Sequence, residues 1–224
     1  MDCGFHRAGF LEKISTAAIV LLVLASLGGC SRKQDDALLE AARNGDSAIA
    51  ETVIAQGARV NVRGENGWTP LMWASLRGND ALVRLLIEKG ADIHLRSKGE
   101  ATALMWASLE GHATVVETLI ARGADVNSRD CNGNTALMAA AYRGKIASVK
   151  LLLKHGADVN AKDRNGNTAL MLTVKGGYID TLNSIPGLPR LIQAAKEDLV
   201  AVGKLLREAG GDRDIKSAGH DDAL

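Results

Sequence analysis

The side chains best able to do chemistry in this chain are its thiols and imidazoles, and they are few and widely separated. The sequence of 224 residues holds three cysteines and five histidines. None of them stands in a C-x-x-C or H-E-x-x-H motif, and the chain has neither a G-x-S-x-G nucleophile motif nor a glycine-rich phosphate loop. The residue types and spacings therefore give no catalytic, metal or cofactor site, and we expect a protein that is not an enzyme.

One thiol, Cys30, follows a sequence typical of secretion signals. Basic residues stand near the start of the chain, an apolar run extends from Ile14 to Leu27, and Leu27-Gly28-Gly29-Cys30 comes next. The apolar run is 14 residues long. Because a helix needs ~20 residues to span a bilayer, we interpret the run as a signal peptide rather than a membrane anchor.

The tetrapeptide that ends at Cys30 resembles the lipobox of bacterial lipoproteins. The resemblance implies that the thiol is joined to diacylglycerol and that the peptide bond before it is cut. It predicts a signal peptide over residues 1–29 and a short polar tether over 30–34. Because Ser31 rather than aspartate follows, it also favours the outer over the inner membrane, on the periplasmic side. Cleavage near 25–29 without a lipid is the alternative.

The rest of the chain is organised by a repeat of 33 residues. A threonine followed by Pro-Leu or Ala-Leu recurs at this interval, at Thr69, Thr102, Thr135 and Thr168. Two glycine columns keep the same interval, namely Gly45, Gly78, Gly111, Gly144 and Gly177, then Gly57, Gly90, Gly123 and Gly156. Each unit of such an array buries its apolar face only against its neighbours, so the function has to be sought on the surface of the array.

Each unit is predicted to contain two short helices joined at the first glycine column. Thr69 can cap the first helix by accepting a backbone hydrogen bond, and Gly78 can end it in the left-handed conformation. Apolar residues then follow at helical spacing, for example Leu82, Leu85 and Leu86. The pattern predicts an all-α array in which Leu85 is buried between neighbouring second helices.

Thr-Pro-Leu, the turn glycine, the Leu-Leu pair and Gly-Ala-Asp-Val-Asn together resemble the ankyrin repeat, which has this period. The resemblance covers residues 35–216 and implies a repeat solenoid of about six helix-turn-helix units with short β-hairpin fingers. Leu170 precedes Leu191 by 21 residues instead of 33, so 12 are missing. We therefore expect a truncated fifth unit, a sixth unit that caps the array with a helix around Leu205, and a flexible tail over 217–224.

Two departures from the family pattern affect the core and the fingers. The histidine that the family carries after Thr-Pro-Leu is replaced by methionine, which predicts an apolar ladder of adaptable side chains. These residues are Met72, Met105, Met138 and Met171. The finger glycine found at Gly67 and Gly133 is Glu100 in the third unit, beside Gly99. We expect that finger tip to differ in shape from the others.

In the ankyrin family, the finger tips and the residues before the turn glycine line a concave groove that binds partner proteins. Carried over to this chain, the resemblance assigns protein binding to Trp68, Leu76, Arg77, Leu109, Glu110, Tyr142 and Arg143. Apolar anchors bordered by arginine are the usual composition of an interface centre. Packing of the leucines between units is the alternative. For Trp73 and Trp106, packing in the core is favoured over contact with a partner.

Other polar residues also stand in columns. A basic column along the finger bases consists of Arg63, Arg96, Arg129 and Lys162. By default it is a solvated row of charges, and its alternative is a surface that attracts an acidic partner or lipid head groups. His94 occupies a column of asparagines, Asn61, Asn127 and Asn160, and so has a structural explanation. Cys131 lies in a finger and is expected to be an inert thiol.

The balance of charges excludes one class of partner. The formal net charge is +1, and no basic surface of the kind that binds nucleic acid is evident. We expect a monomer that binds one protein in its concave groove and the membrane through a lipid. Two functions fit this description: a scaffold or accessory factor for a periplasmic or envelope protein, or an immunity protein that masks a toxic periplasmic enzyme.

Overall fold

The structure, a computed structural model, describes residues 31–175 and 200–210. Paired helices follow one another along the chain, and the first helices of successive pairs pack against each other, with the second helices in a row behind them. The helices are α1 (Ser31–Asn44), α2 (Ser47–Ala55), α3 (Pro70–Arg77), α4 (Asp80–Glu88), α5 (Ala103–Glu110), α6 (Ala113–Ala121), α7 (Ala136–Tyr142), α8 (Ile146–Lys154) and α9 (Ala169–Lys175), with α10 over residues 200–208. The predicted all-helical repeat solenoid is confirmed.

The first helix of each pair is called the inner helix and the second the outer helix. After α1, each inner helix begins in the same way because a threonine precedes it. Thr69 Oγ1 accepts a hydrogen bond from Met72 N at 3.3 Å, and Pro70 takes the first position of α3, where its missing donor costs nothing. Gly78 ends α3 in the left-handed conformation, with φ 70°. The threonines before α5, α7 and α9 form the same cap at 3.4, 3.3 and 3.4 Å.

The core lies between the inner and outer helices and is continuous from α1 to α10. On α4, Leu82 and Leu86 are fully buried, because residues four apart share one face of a helix. Leu85 lies at the edge of that face and is only half-buried, so the prediction that it is buried in the seam is wrong. The methionine ladder is apolar and buried as expected at three of its positions, Met72, Met105 and Met138.

The fingers between units are tight turns, and within the described residues no strand is assigned to them. The expected β-hairpins are therefore replaced by single turns that share one pattern. In the first finger, Gly64 N donates to Trp68 O at 2.9 Å, and the three later fingers make the corresponding bond at 3.0, 2.9 and 3.0 Å. Neighbouring fingers are also joined, for example by Lys98 N donating to Asn66 O at 2.7 Å.

The prediction of a different tip in the third finger is wrong. Glu100 adopts φ 59°, close to the φ of 72° and 81° at Gly67 and Gly133 in the same column. Its finger keeps the common hydrogen bonds, with Ser97 N donating to Ala101 O at 3.0 Å. The backbone shape is therefore set by contacts with the neighbouring fingers, and glutamate is held in a conformation that usually requires glycine.

The first helix begins earlier than the sequence predicts. We expected a polar tether to extend over residues 30–34 and a helix to begin near Asp35, but α1 already includes Ser31. Asp35 is buried at 1% exposure, where Arg59 holds it against the first unit. The predicted tether is therefore helical from residue 31 onward. The predicted signal peptide and Cys30 lie outside the described residues.

Helix α10 takes the place of the second helix in the unit that α9 begins. A Cβ built on Gly203 would lie 3.7 Å from both Leu170 and Thr173 of α9. Gly210 O accepts a hydrogen bond from Asn160 Nδ2 at 3.3 Å, as the glycines after α4 and α8 do from earlier asparagines. Helix α10, predicted to belong to a sixth unit, therefore completes a fifth helix pair.

Several predicted features fall on residues that the structure does not describe. The deletion predicted in the fifth unit and the first helix of the predicted sixth unit lie within 176–199, and the predicted tail lies within 211–224. Across 31–175 and 200–210, no helix combines the length and apolar composition that a membrane span requires.

Candidate binding groove

A groove of about 360 Å³ runs across the inner helices α5, α7 and α9. Trp106, Leu109 and Tyr142 contribute large side chains to its wall, each half-buried. The remaining wall is mainly apolar and consists of Ala101, Met105, Asp130, Asn134, Thr135, Met138, Ala139 and Leu172. Two predicted binding residues, Leu109 and Tyr142, therefore lie in one groove. Their role in binding stays a prediction.

Three tryptophans form a continuous cluster at one side of this groove. The ring of Trp68 lies 4.3 Å from that of Trp73 and 4.4 Å from that of Trp106, centroid to centroid, with the planes tilted by 37° and 36°. Such tilted contacts suit the quadrupoles of aromatic rings. The guanidinium of Arg43 lies 5.6 Å from the Trp73 ring and adds a cation–π contact.

Trp73 and Trp106 pack against the hydrophobic core but are not enclosed by it. Both are half-buried, so the prediction that they belong to the core is confirmed only in part. Trp106 also forms part of the groove wall. Its Nε1 is closed off from water and has no hydrogen-bond acceptor.

Leu76 and Arg77 lie outside the groove wall. Leu76 is half-buried, and its carbonyl accepts a hydrogen bond from His112 Nε2 at 3.0 Å, which joins α3 to the start of α6. Arg77 is exposed, and its Nε donates to Arg43 O at 3.0 Å. The structure therefore gives His112 a structural role, and it separates Leu76 and Arg77 from the groove residues Leu109 and Tyr142.

Glu110 and Arg143 form an ion pair at the ends of α5 and α7. Their nearest charged atoms are 3.9 Å apart, and the side chains are 34% and 51% exposed. A pair this open contributes little to stability, but it leaves no uncompensated charge at this position. These two predicted binding residues therefore neutralise each other in the free protein.

The basic column forms a ladder of hydrogen bonds between units, which sequence reasoning missed. Arg63 Nη1 donates to Arg96 O at 2.6 Å, Arg96 Nη1 to Arg129 O at 2.9 Å, and Arg129 Nη1 to Lys162 O at 2.8 Å. The guanidiniums stay exposed at the surface. The column is therefore more than a simple solvated row, because each arginine is oriented by the next unit. Attraction of an acidic partner or of lipid head groups stays a prediction.

Asparagine side chains form a second ladder of hydrogen bonds between units. Asn61 Nδ2 donates to Gly90 O at 3.1 Å, and Asn61 Oδ1 accepts from Asp92 N at 2.8 Å. Two units further along the chain, Asn127 makes the same pair of bonds. His94 stands in this column but makes no such bridge within the described residues, and its imidazole is exposed.

On the second helices, one polar ring joins α4 to α6. Asp80 Oδ2 accepts from Arg84 Nε at 2.7 Å, Arg84 Nη2 donates to Thr118 Oγ1 at 3.0 Å, and Thr118 Oγ1 donates to Asp80 Oδ1 at 2.9 Å. The hydrogen bond from Arg84 lowers the pKa of Asp80, partial burial opposes this, and the bond from Thr118 and the charge of Arg84 add to the lowering. The ring locks two units in register.

Comparison with known proteins identifies the family. A family model described as "Ankyrin repeats (3 copies)" matches residues 38–130 and 104–185, which together are more than half of the chain. The chain belongs to the ankyrin-repeat family. Ankyrin repeats are in general protein-binding modules without catalytic activity, so this chain is assigned to protein binding at that level.

One curated protein is similar in sequence to a short part of this chain. "Protein VAPYRIN-LIKE" of Medicago truncatula is 52% identical to this chain over 40 residues. The matched segment is 18% of this chain and 9% of the relative. The chain therefore matches less than a tenth of that protein.

Proposed function

We propose that this ankyrin array is a lipid-anchored periplasmic binding protein that holds one protein partner in the groove across α5, α7 and α9. It acts as a scaffold or accessory factor for a periplasmic or envelope protein. The observation that carries the binding site is the groove wall, where Trp106, Leu109 and Tyr142 are half-buried side by side in an otherwise apolar surface. Aromatic and apolar anchors of this kind dominate the energetics of protein interfaces.

The anchor is supported by the sequence around Cys30. A signal-like apolar run ends in Leu27-Gly28-Gly29-Cys30, and the folded array follows directly, since α1 begins at Ser31. In cells, the wild-type chain should incorporate a fatty-acid label and fractionate with membranes, whereas Cys30→Ser should do neither. A labelled Cys30→Ser variant would rule out the lipid at this residue.

Affinity capture from envelope extract tests the binding site. We expect the wild-type chain to recover a partner that a Leu109→Asp, Tyr142→Asp double variant does not, because two carboxylates in the groove wall oppose apolar contacts. The matched control is Val200→Asp, which makes the same chemical change at an exposed residue, 73% accessible, outside the groove wall. Equal recovery by the double variant would remove the groove from the proposal.

The same capture distinguishes a scaffold from an inhibitor. If the partner is an enzyme, its turnover is measured with and without the array. A scaffold leaves the turnover unchanged or raises it, whereas an immunity protein suppresses it in proportion to the complex formed.

A further inference from the structure

We infer that the groove across α5, α7 and α9 receives a lysine side chain of the protein partner, with its ammonium group at Asp130 and its alkyl stem against the apolar wall. This inference rests on the proposed function and specifies which residue of the partner enters the groove. It is supported by the charge in the groove wall, by the state of that charge in the free protein, and by the side chains around it.

Among the described residues, the groove wall contains one charged side chain, that of Asp130. Asp130 is half-buried. Its Oδ1 accepts hydrogen bonds from Asn132 N at 2.8 Å and from Asn134 N at 2.7 Å, and its Oδ2 accepts one from Asn134 Nδ2 at 3.0 Å. A carboxylate has about four lone-pair sites, so these three donors leave one acceptor position open, on Oδ2.

The hydrogen bonds to Asp130 leave its negative charge without a cation. Asp130 forms no ion pair within 31–175 and 200–210, and Arg143, which follows the groove residue Tyr142, is already paired with Glu110 at 3.9 Å. A partner that covers the groove takes water away from the Asp130 carboxylate, and burying a charge is costly unless it is paired. An uncharged or acidic segment leaves this cost in place, whereas a basic side chain offsets it.

The side chains around Asp130 suit the remainder of a lysine. Leu109 supplies apolar surface for the methylene stem, because lysine packs its stem on apolar groups while its charged end reaches a polar one. Trp106 and Tyr142 lie in the same wall, and aromatic faces attract cations. An ammonium group needs one acceptor, which matches the open position on Oδ2, whereas a bidentate arginine contact needs both oxygens.

Capped peptides test this inference on the purified full chain. The probe is the heptapeptide Ala-Leu-Ala-Lys-Ala-Leu-Ala. One control carries Nε-acetyllysine in place of lysine, which keeps the stem and removes the charge, and a second carries arginine. All three tryptophans of the chain lie in one cluster that includes Trp106 of the groove wall, so their emission reports binding there.

We expect the lysine peptide to change the emission saturably and to bind at least about tenfold more tightly than the acetyllysine peptide, a difference of about 1.4 kcal/mol. This advantage should shrink as the salt concentration is raised, because salt screens a partly exposed ion pair. The arginine peptide should bind no more tightly than the lysine peptide, since only one acceptor position is open.

A pair of matched variants assigns the effect to Asp130. Asp130→Asn removes the charge but keeps an oxygen that can accept from Asn132 N and Asn134 N, and it should remove most of the lysine advantage. Asp163 accepts the same three hydrogen bonds in the next finger but lies outside the groove wall. Asp163→Asn should therefore leave the advantage unchanged, and thermal melts check that both variants are folded.

Three results would overturn the inference: no saturable binding of the lysine peptide, equal affinity for the lysine and acetyllysine peptides, or the same loss in Asp163→Asn as in Asp130→Asn. Tighter binding of the arginine peptide would show that the choice of lysine is wrong. The proposed function fails separately, because it depends on whether the envelope partner is lost from the Leu109→Asp, Tyr142→Asp variant. A partner that is lost from that variant but retained by Asp130→Asn leaves the groove in place and removes only its preference for lysine.

Discussion

Asp35 and Arg59 are joined by two hydrogen bonds and an ion pair across 24 residues of sequence. The carboxylate accepts hydrogen bonds from Arg59 N and Nε, both at 2.8 Å, and Nη2 lies 2.7 Å from the same carboxylate. The Asp35 side chain is 2% exposed, whereas that of Arg59 is 72% exposed. The contact fastens α1 to the loop after α2.

This contact makes stability depend on pH. Burial of Asp35 opposes its ionisation, but the hydrogen bonds and charge of Arg59 outweigh burial and hold the pKa of Asp35 below its ordinary value. A lowered folded-state pKa stabilises the protein fully above the unfolded value of about 3.9, and this stabilisation is lost as the pH falls through the folded value. We therefore expect Asp35→Asn to lower the melting temperature at pH 7 and to have a smaller effect at pH 2.

The exposed neighbour Asp36 provides the control for this prediction. Asp36→Asn removes the same charge one residue away, where the side chain is exposed to water. Its effect on the melting temperature should be small at both pH values. An Asp35→Asn effect that does not shrink in acid would contradict the pH dependence assigned to this contact.

Glu100 predicts a stabilising substitution. Its φ of 59° lies in the left-handed region, which costs a residue with a Cβ about 1–2 kcal/mol, whereas glycine adopts it freely. We expect Glu100→Gly to raise the free energy of unfolding by about 1 kcal/mol, measured by chemical denaturation. Gly166→Ala is the matched reverse change, because its φ is 78° and a Cβ there would meet no atom within 4 Å. It should cost about the same amount, and a loss on Glu100→Gly would contradict the assignment of strain.

The sequence predicts the features that a single unit determines by itself. The threonine caps, the left-handed glycines of the described residues and three of the four methionines in their column occur as expected, because they follow from local hydrogen bonding and side-chain size. The sequence of a single unit does not show how far successive units lie from each other. That spacing determines that Arg63 reaches the carbonyl of Arg96, that Trp106 borders a groove, and that Glu100 is held at positive φ.

The order of the last helices could not be predicted for a related reason. The sequence around Leu205 and Leu206 has the pattern of a second helix, but the pattern does not say which first helix it packs against. The hydrogen bond from Asn160 to Gly210 and the packing of Gly203 beside α9 settle this point. Pairing of distant elements is a tertiary property that local spacing does not encode.

Adjacent leucines on α4 test the assignment of the buried face. Leu86 is fully buried and Leu85 half-buried. We expect Leu86→Ala to lower the free energy of unfolding by about 2–5 kcal/mol, because it removes packed methyl groups and leaves a cavity. Leu85→Ala should cost clearly less, and exposed Arg77→Ala should cost within about 0.5 kcal/mol. Equal losses for the two leucines in urea denaturation would show that the helix face is assigned incorrectly.

The break in the asparagine ladder at His94 predicts a second stabilising substitution. Asn61 and Asn127 each place a donor and an acceptor side by side, and they bridge a carbonyl and a backbone N–H of the next unit. The two nitrogens of an imidazole lie on different sides of its ring, so His94 does not reproduce that geometry.

We expect His94→Asn to raise the free energy of unfolding by about 1 kcal/mol through one net bridge. Chemical denaturation measures this change. The reverse substitution, Asn127→His, should lower stability by a similar amount. If neither substitution changes the midpoint, the bridges hold the units in register without adding to stability, because water serves the same groups equally well.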